Sequence, residues 1–438
     1  MRSLATRRSN AEHGTAPGVW TAPKSASAAE LVDGLFQEAL AWGASDVHVE
    51  PNEHGLQIRF RVHGLLQNVM TVPQGERAAL TSRIKIMANL DITEHRLPQD
   101  GRIRIRQTGH AVDARVSTVP SLHGEKVVLR LLDLNGVAIP LDRIGLRDVH
   151  LKELRRLIRR PQGIILVTGP TGSGKTSTIY ASLKEIKSEA INIITIEDPI
   201  EYEISGVTQI AVHDKIGLTF EGCLRSVLRQ DPDVILVGEI RDRETARIAM
   251  QASLTGHLVF ATLHTNDAVG AITRLLDMEI PPYLIASSLS GVLAQRLVQE
   301  LCPACKVPAK PDADLCAKLL DPTGTRLYQR GPGCDKCHGL GAIGRIGVFE
   351  LVTVNPKLRS LVISRASEAD FREAAHSDDF PSMFQDGLGK VADGQVAYEE
   401  LMRVTEPDRP RGDELPADPA PAPQPKPAPA PLRVIPLN

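Results

Sequence analysis

Gly163-Ile164-Ile165-Leu166-Val167-Thr168-Gly169-Pro170-Thr171-Gly172-Ser173-Gly174-Lys175-Thr176 is the stretch that decides the fold. Its first half is a short, unbroken apolar run, the pattern of a parallel strand covered on both faces. Its second half matches Gly-x-x-x-x-Gly-Lys-Thr, and the residues beyond it place Ile179, Leu183 and Ile186 on one helical face. A strand, a glycine-rich turn and a helix in that order make a phosphate cradle. The glycines let backbone N–H groups turn inward, Lys175 adds a positive charge at the β/γ-phosphates, and Thr176 offers a hydroxyl to Mg²⁺. A chance glycine-rich turn would lack the flanking strand and helix. Gly169, Pro170, Thr171, Gly172, Ser173, Gly174, Lys175, Thr176 and Ser177 are therefore the candidate nucleotide-binding residues.

Working outward, similar apolar runs recur at Ile191–Ile196, Val234–Val237 and Leu258–Leu263, with helix-patterned stretches between them. Alternating β and α segments of this kind predict a mostly parallel, right-handed α/β sheet. Two of these strands end in acids: Glu197-Asp198 after the first and Glu239 after the second. In a parallel sheet both ends lie on the edge that carries the phosphate loop. A carboxylate there, one water away from a γ-phosphate, can orient and deprotonate the attacking water, which makes Glu239 the candidate base and Glu197 a second candidate. His257 and His264 bracket the third strand. Their odd spacing sends them to opposite faces, so they cannot share one job, and His264 at the strand's exit is the better placed of the two. After Pro282 the pattern reads as helical, is interrupted by a cysteine segment, and ends in helices near Thr405.

Upstream, Leu31, Val32, Leu35, Phe36, Ala39 and Leu40 recur at helical spacing, with Gly43 as a stop. Strand alternation follows at Leu56–Val62, Arg102–Arg106 and Val112–Val116, with a turn at Thr108-Gly109 and a helix over Arg77–Leu90. This order predicts a small α+β domain over 28–135 and excludes a Rossmann unit. A linker over 136–148 leads into the nucleotide domain, 149–405. Residues 1–27 lack periodicity and read as a flexible arm. From Glu406 onward 11 of the chain's 31 prolines crowd into Pro-Ala alternation, so 406–438 reads as an extended tail.

Cys302-Pro-Ala-Cys305 and Cys334-Asp-Lys-Cys337 supply four thiols, enough to close a tetrahedral zinc site within a subdomain over 300–345. With no open coordination position the metal is expected to be structural. A redox dithiol would need one pair, not two. Cys223, Cys316 and His338 are left out of the ligand set.

Composition excludes other classes. Lys+Arg 51 against Asp+Glu 53 leaves a net charge of -2, which does not suit wholesale phosphate neutralisation, and 3% aromatic residues offer few platforms for stacked bases. No direct nucleic-acid partner is expected. No apolar run is long enough to span a bilayer, and the first 27 residues have no secretory h-region, so the chain reads as soluble and cytoplasmic.

Taken together and in order, the motifs closely resemble the secretion ATPase family that drives type II secretion and type IV pilus assembly. The resemblance runs over about residues 28–405. It passes through Gly43–Pro51, Arg96–Arg102, the phosphate loop, the acidic box Thr195–Tyr202 and the segment Asp231–Asp242. It continues through Thr255–His257, Leu263–Asn266, the four cysteines and Gly344–Glu350.

The resemblance implies a RecA-like ATPase domain with a zinc knuckle and ATP, Mg²⁺ and Zn²⁺ as bound groups. It implies a homohexamer with ATP held between the amino-terminal domain of one subunit and the RecA-like domain of another. Water activation falls to Glu239, supporting acid chemistry to Glu197, and roles near the phosphates to His257, His264 and the fingers Arg102 and Arg115. The ring would sit peripherally at the inner membrane, driving a platform protein. The knuckle resembles that of assembly ATPases, and the leading function is (pseudo)pilus assembly for type II secretion, followed by type IV or DNA-uptake pilus assembly. The 27 residues before Ala28 are too few for the further amino-terminal domain of type II relatives, and the Pro-Ala tail is not a family feature. A nucleic-acid translocase is the rival from another class. A nucleotide switch with little turnover is a third reading, against which Lys175, Thr176 and Glu239 speak.

Overall fold

Ser27 caps the first described helix: its hydroxyl accepts from the Glu30 amide at 3.3 Å, and the Glu30 carboxylate accepts from the Ser27 amide at 2.8 Å. This reciprocal capping satisfies two otherwise orphaned donors. Helix α1 (Ala28–Ala41) follows and stops at Gly43, whose φ of 62° is the left-handed position that glycine takes without strain. The computed structural model describes residues 27–107, 110–133, 139–309, 327–375 and 381–407. Residues 1–26 of the expected arm, the Pro-Ala tail beyond residue 407, the Thr108-Gly109 turn and Cys316 lie outside these residues.

Six strands build the first sheet: β1 (Ala44–Asn52), β2 (Gly55–Val62), β3 (Leu65–Pro73), β4 (Gln99–Gln107), β5 (His110–Ser121) and β6 (Gly124–Asp133). Their order is β3-β2-β1-β6-β5-β4, and every pair is antiparallel. Alternation decides which face is buried. Val47, Val49, Ile58, Phe60, Ala114, Val116, Val127 and Leu129 point inward and meet Leu31, Leu35 and Phe36 of α1 and Leu80 and Ile84 of α2 (Arg77–Met87). Each large side chain so buried contributes about 1.5–3 kcal/mol. The other face is charged, with Glu50 paired to Arg59 and Lys126, and Asp46 to Arg130. The expected strands fall within β2, β4 and β5. Strands β1, β3 and β6 have no counterpart in the sequence reading, although Asp46-Val47-His48-Val49-Glu50 in β1 alternates as a half-buried strand does.

The second sheet contains β7 (Gly163–Thr168), β8 (Ile193–Glu197), β9 (Thr208–Ala211), β10 (Val234–Val237), β11 (Leu258–Leu263), β12 (Leu289–Leu301) and β15 (Ala342–Thr353). The order is β15-β12-β7-β11-β10-β8-β9, parallel except where β15 meets β12. Strands β13 (Val307–Pro308) and β14 (Tyr328–Gln329) pair separately. Helices α3 (Asp148–Ile158), α4 (Lys175–Ile186), α5 (Phe220–Val227), α6 (Arg243–Leu254) and α7 (Ala268–Asp277) cover the sheet, which is why β7, β8, β10 and β11 are buried along their whole length.

The region after Pro282 corrects the helical reading. Only α8 (Pro282–Ser288) is helical before β12 begins. Strand β12 lies between β7 and β15 with both faces largely buried, and burial on both faces erases the alternation that would mark a strand. Gly291 lets it pass: a Cβ there would stand 2.8 Å from the Leu157 side chain. The helices expected towards Thr405 begin only after β15, at Pro356.

Candidate functional site

Strand β7 delivers the chain to the turn, and α4 takes it away. Gly169, Gly172 and Gly174 carry φ values of 145°, 79° and 89°, a sequence of left-handed steps that curls the loop ahead of the α4 amino terminus. Gln295 of β12 braces this curl from below, donating from Nε2 to the Ser173 carbonyl at 2.7 Å. A Cβ on Gly169 would lie 2.4 Å from the Gln295 carbonyl oxygen, so the approach admits only glycine. Lys175 Nζ donates to the carbonyls of Gly169 and Pro170, at 2.7 and 3.1 Å. Burial lowers the pKa of Lys175; Glu239 nearby opposes the shift and Arg296 reinforces it. Pro170, Thr171 and Ser177 are exposed, while Thr176 is half-buried on the first turn of α4.

The neighbouring strand ends assemble a charged cluster. Glu239 follows β10, and its Oε1 lies 3.1 Å from His264 Nε2 at the exit of β11. Its Oε2 accepts from Arg241, whose Nε and Nη2 are each 2.9 Å away. The same guanidinium stands 3.6 Å from Asp198 Oδ2. The loop bearing His264 is pinned to β7, because Thr168 Oγ1 accepts from the Thr265 amide at 2.9 Å.

Glu197 departs from the expectation of a residue offered to the phosphates. It is 4% exposed and both oxygens are engaged: Oε2 accepts from the Tyr180 hydroxyl, and Oε1 from Thr195 Oγ1 at 2.6 Å and Gln209 Nε2 at 3.1 Å. It is a buried strut between α4 and β8; the exposed carboxylate at this strand end is Asp198. Burial, followed by the Glu197 charge, pushes the Tyr180 phenol far above its ordinary range. His257 also departs. It precedes β11 at the opposite edge of the sheet, and its Nδ1 lies 2.8 Å from the Ala252 carbonyl at the end of α6. Within one chain it does not reach the phosphate loop.

Arg102 and Arg115 stand opposite each other on β4 and β5. With Arg130, Asp100, Ser117 and Pro199 they line a cavity of about 640 Å³. Arg115 Nη2 donates to the Ile200 carbonyl at 3.3 Å, so the first sheet touches the acidic box of its own chain. Burial lowers the pKa of Arg115; Glu201 opposes this, and Arg102 and Arg130 add to it. Arg130 and Gln295 are absent from the sequence reading, and Arg241 enters it only as part of the segment Asp231–Asp242, with no role assigned. Arg241 alone carried a local signal, two residues beyond Glu239.

The four cysteines converge: the Sγ atoms of Cys302, Cys305, Cys334 and Cys337 all lie within 4.8 Å of one another. Measured pairs are 3.8 Å (Cys302–Cys334), 3.8 Å (Cys305–Cys337) and 3.7 Å (Cys334–Cys337). A Zn–S bond of about 2.3 Å in a tetrahedron requires sulfurs about 3.8 Å apart, whereas a disulfide would bring them to about 2.05 Å. Backbone N–H groups of Cys334 and Gly341 point at Cys337 Sγ, at 3.2 and 3.1 Å, as a thiolate ligand needs. The donor set therefore fits zinc. His338 turns away and stacks on Trp42.

A family model described as type II/IV secretion system protein matches residues 21–403. The chain is 52% identical over 379 residues to the type II secretion system ATPase E of Vibrio cholerae, covering 86% of this chain and 75% of that one. It is 46% identical over 386 residues to the type IV pilus assembly ATPase PilB of Myxococcus xanthus, covering 87% and 68%. Among solved structures, the pilus retraction motor PilT with bound ADP superposes with a TM-score of 0.59 at 26% identity, covering 85% of this chain and 96% of that one.

Proposed function

The chain belongs to the type II/IV secretion system protein family, and from that membership we propose that it is the ATPase that powers pseudopilus assembly for type II protein secretion. The observation that carries this reading is the meeting of the Lys175 loop with the Glu239–His264 pair at one sheet edge. ATP binds with its phosphates over the α4 amino terminus; Lys175 exchanges its two carbonyl bonds for phosphate oxygens, and Thr176 holds the Mg²⁺ that neutralises them. Glu239 takes a proton from the attacking water. The water oxygen bonds to the γ-phosphorus, the bond to the β–γ bridging oxygen breaks, and that oxygen leaves with ADP, carrying the electron pair.

Arg102, Arg115 and Arg130 supply positive charge to the phosphates. Such a contribution is worth about 10³–10⁵ in rate when a guanidinium reaches the transition state. Cys302, Cys305, Cys334 and Cys337 hold one structural zinc. Subunits form a homohexamer, each with an amino-terminal domain over 28–135 and an ATPase domain over 149–405. Among the described residues no helix is long and apolar enough to cross a membrane, and attachment to the inner membrane runs through a platform protein.

Glu239→Gln, which traps bound ATP, is captured from native membranes after mild cross-linking. Recovery of a polytopic platform protein with secretion neighbours is expected; pilus neighbours instead would assign the chain to pilus assembly. Recovery of nucleic acid, with no membrane protein above a Lys175→Ala control, would replace this reading by a translocase.

A further inference from the structure

Glu239 is held on both oxygens, and the two holders come from different places. His264 arrives from β11 and approaches Oε1. Arg241 lies in the turn between β10 and α6, a helix capped by Asp242; its Nε donates to Oε2 at 2.9 Å, and its Nη2 forms an ion pair with the same oxygen at 2.9 Å. Its guanidinium also faces Asp198, at the end of the adjacent strand β8, and lies 5.9 Å from the centre of the Phe220 ring. Arg241 thus bridges the acidic ends of two neighbouring strands. Without it, Glu239 and Asp198 would face each other and the incoming polyphosphate as unscreened anions.

We propose that Arg241 is a positioning residue for hydrolysis: it fixes the plane of the Glu239 carboxylate so that a free lone pair of Oε1 meets the attacking water. The chemistry of the grip supports this. With Arg241 on Oε2 and His264 on Oε1, the two ends of the carboxylate are held from different sides, which restricts a terminal torsion that is otherwise broad for a glutamate. Each carboxylate oxygen accepts more than one hydrogen bond, so Oε1 can serve both His264 and water. The Phe220 ring adds a third neighbour, its centre 5.9 Å from the guanidinium carbon, within the range of a cation–π contact. A displacement of about 1 Å at a reacting group can change a rate by about 10²-fold, so a guanidinium that never touches the nucleotide can still control turnover.

The inference rests on Glu239 acting as the base, and a double-mutant cycle separates the two claims. Full-length protein, Arg241→Gln, Arg241→Lys, Glu239→Gln and the Glu239→Gln/Arg241→Gln pair are compared by steady-state and single-turnover hydrolysis of MgATP. Arg241→Gln is expected to lower kcat by about 10–10²-fold with KM within about twofold, and Arg241→Lys to recover part of the loss. On the Glu239→Gln background the same change is expected to add less than about twofold, because no carboxylate remains to be oriented. A full, additive loss in the double variant would mean that Arg241 acts on the phosphates directly and would overturn the proposal. Unchanged kcat in Arg241→Gln, or a rise in KM alone, would overturn it too. Wild-type turnover by Glu239→Gln alone would remove the base itself, and is seen in that single variant before the cycle is closed.

Discussion

The Trp42 indole lies nearly parallel to the His338 imidazole, ring centres 5.2 Å apart and planes 16° from coincidence. Trp42 ends the first helix of the amino-terminal part, and His338 follows the last cysteine of the tetracysteine centre. Two residues on, Leu340 is buried in the apolar cluster of the first sheet, and Gln299 Nε2 donates to the His63 carbonyl at 3.0 Å. The centre therefore shapes a loop that the amino-terminal part rests on.

Zinc removal should loosen that contact. In a Trp20→Phe background, stripping the metal with a chelator should shift Trp42 emission to the red and lower amide protection around Trp42 and His63. Cys337→Ser should do the same, with zinc falling from one per chain to none. Loss of zinc with unchanged Trp42 emission would show that the loop holds its shape without the metal.

Gly169→Ala should cripple nucleotide binding. The new Cβ would stand 2.4 Å from the Gln295 carbonyl oxygen and 2.6 Å from Ser173 Oγ at a φ of 145°. Gly172→Ala meets nothing within 4 Å and carries only the strain of a φ of 79°, about 1–2 kcal/mol. ATP affinity measured by titration should fall far more for the first variant than for the second.

Tyr180→Phe should destabilise the fold, because the phenol is fully buried and its hydroxyl serves Glu197. Leaving a buried acceptor without its partner costs about 1–3 kcal/mol. Urea unfolding should show a lower midpoint at unchanged slope.

Acid should weaken the amino-terminal sheet through Glu50. Burial acts to raise the pKa of this carboxyl, but Arg59 and Lys126 outweigh it and hold the value at about 2, against an ordinary 4.5. A folded pKa below the unfolded one means that the folded state binds fewer protons. The stabilisation is therefore complete above about pH 4.5 and is lost as pH falls towards 2. Glu50→Gln should flatten this part of the stability-against-pH curve measured by chemical unfolding.

Features whose cause lies within a few residues were readable in advance. The phosphate loop was one, since strand, glycines and helix are contiguous and each has a local signature. The stop at Gly43 and the covered strands β7, β10 and β11 were others. The cysteine pairs announced a cluster of four sulfurs, because ligand spacing is itself chemistry. Strand β12 was misread because burial on both faces leaves no alternation, and periodicity alone does not separate such a strand from a helix. The burial of Glu197 is not legible locally: its position at a strand end is visible in the sequence, while the Tyr180 hydroxyl facing it is not.

Sequence alone thus determined the nucleotide loop, the α/β class, the four thiols and the family resemblance, all of which depend on short-range pattern. Only the tertiary structure decided which carboxylate stands open and which is spent, since Glu239 and His264 meet across neighbouring strands and Gln295 reaches Ser173 from 122 residues away. Side-chain partnership between distant segments depends on strand order and register. The chain fixes those only when its two sheets close over their cores.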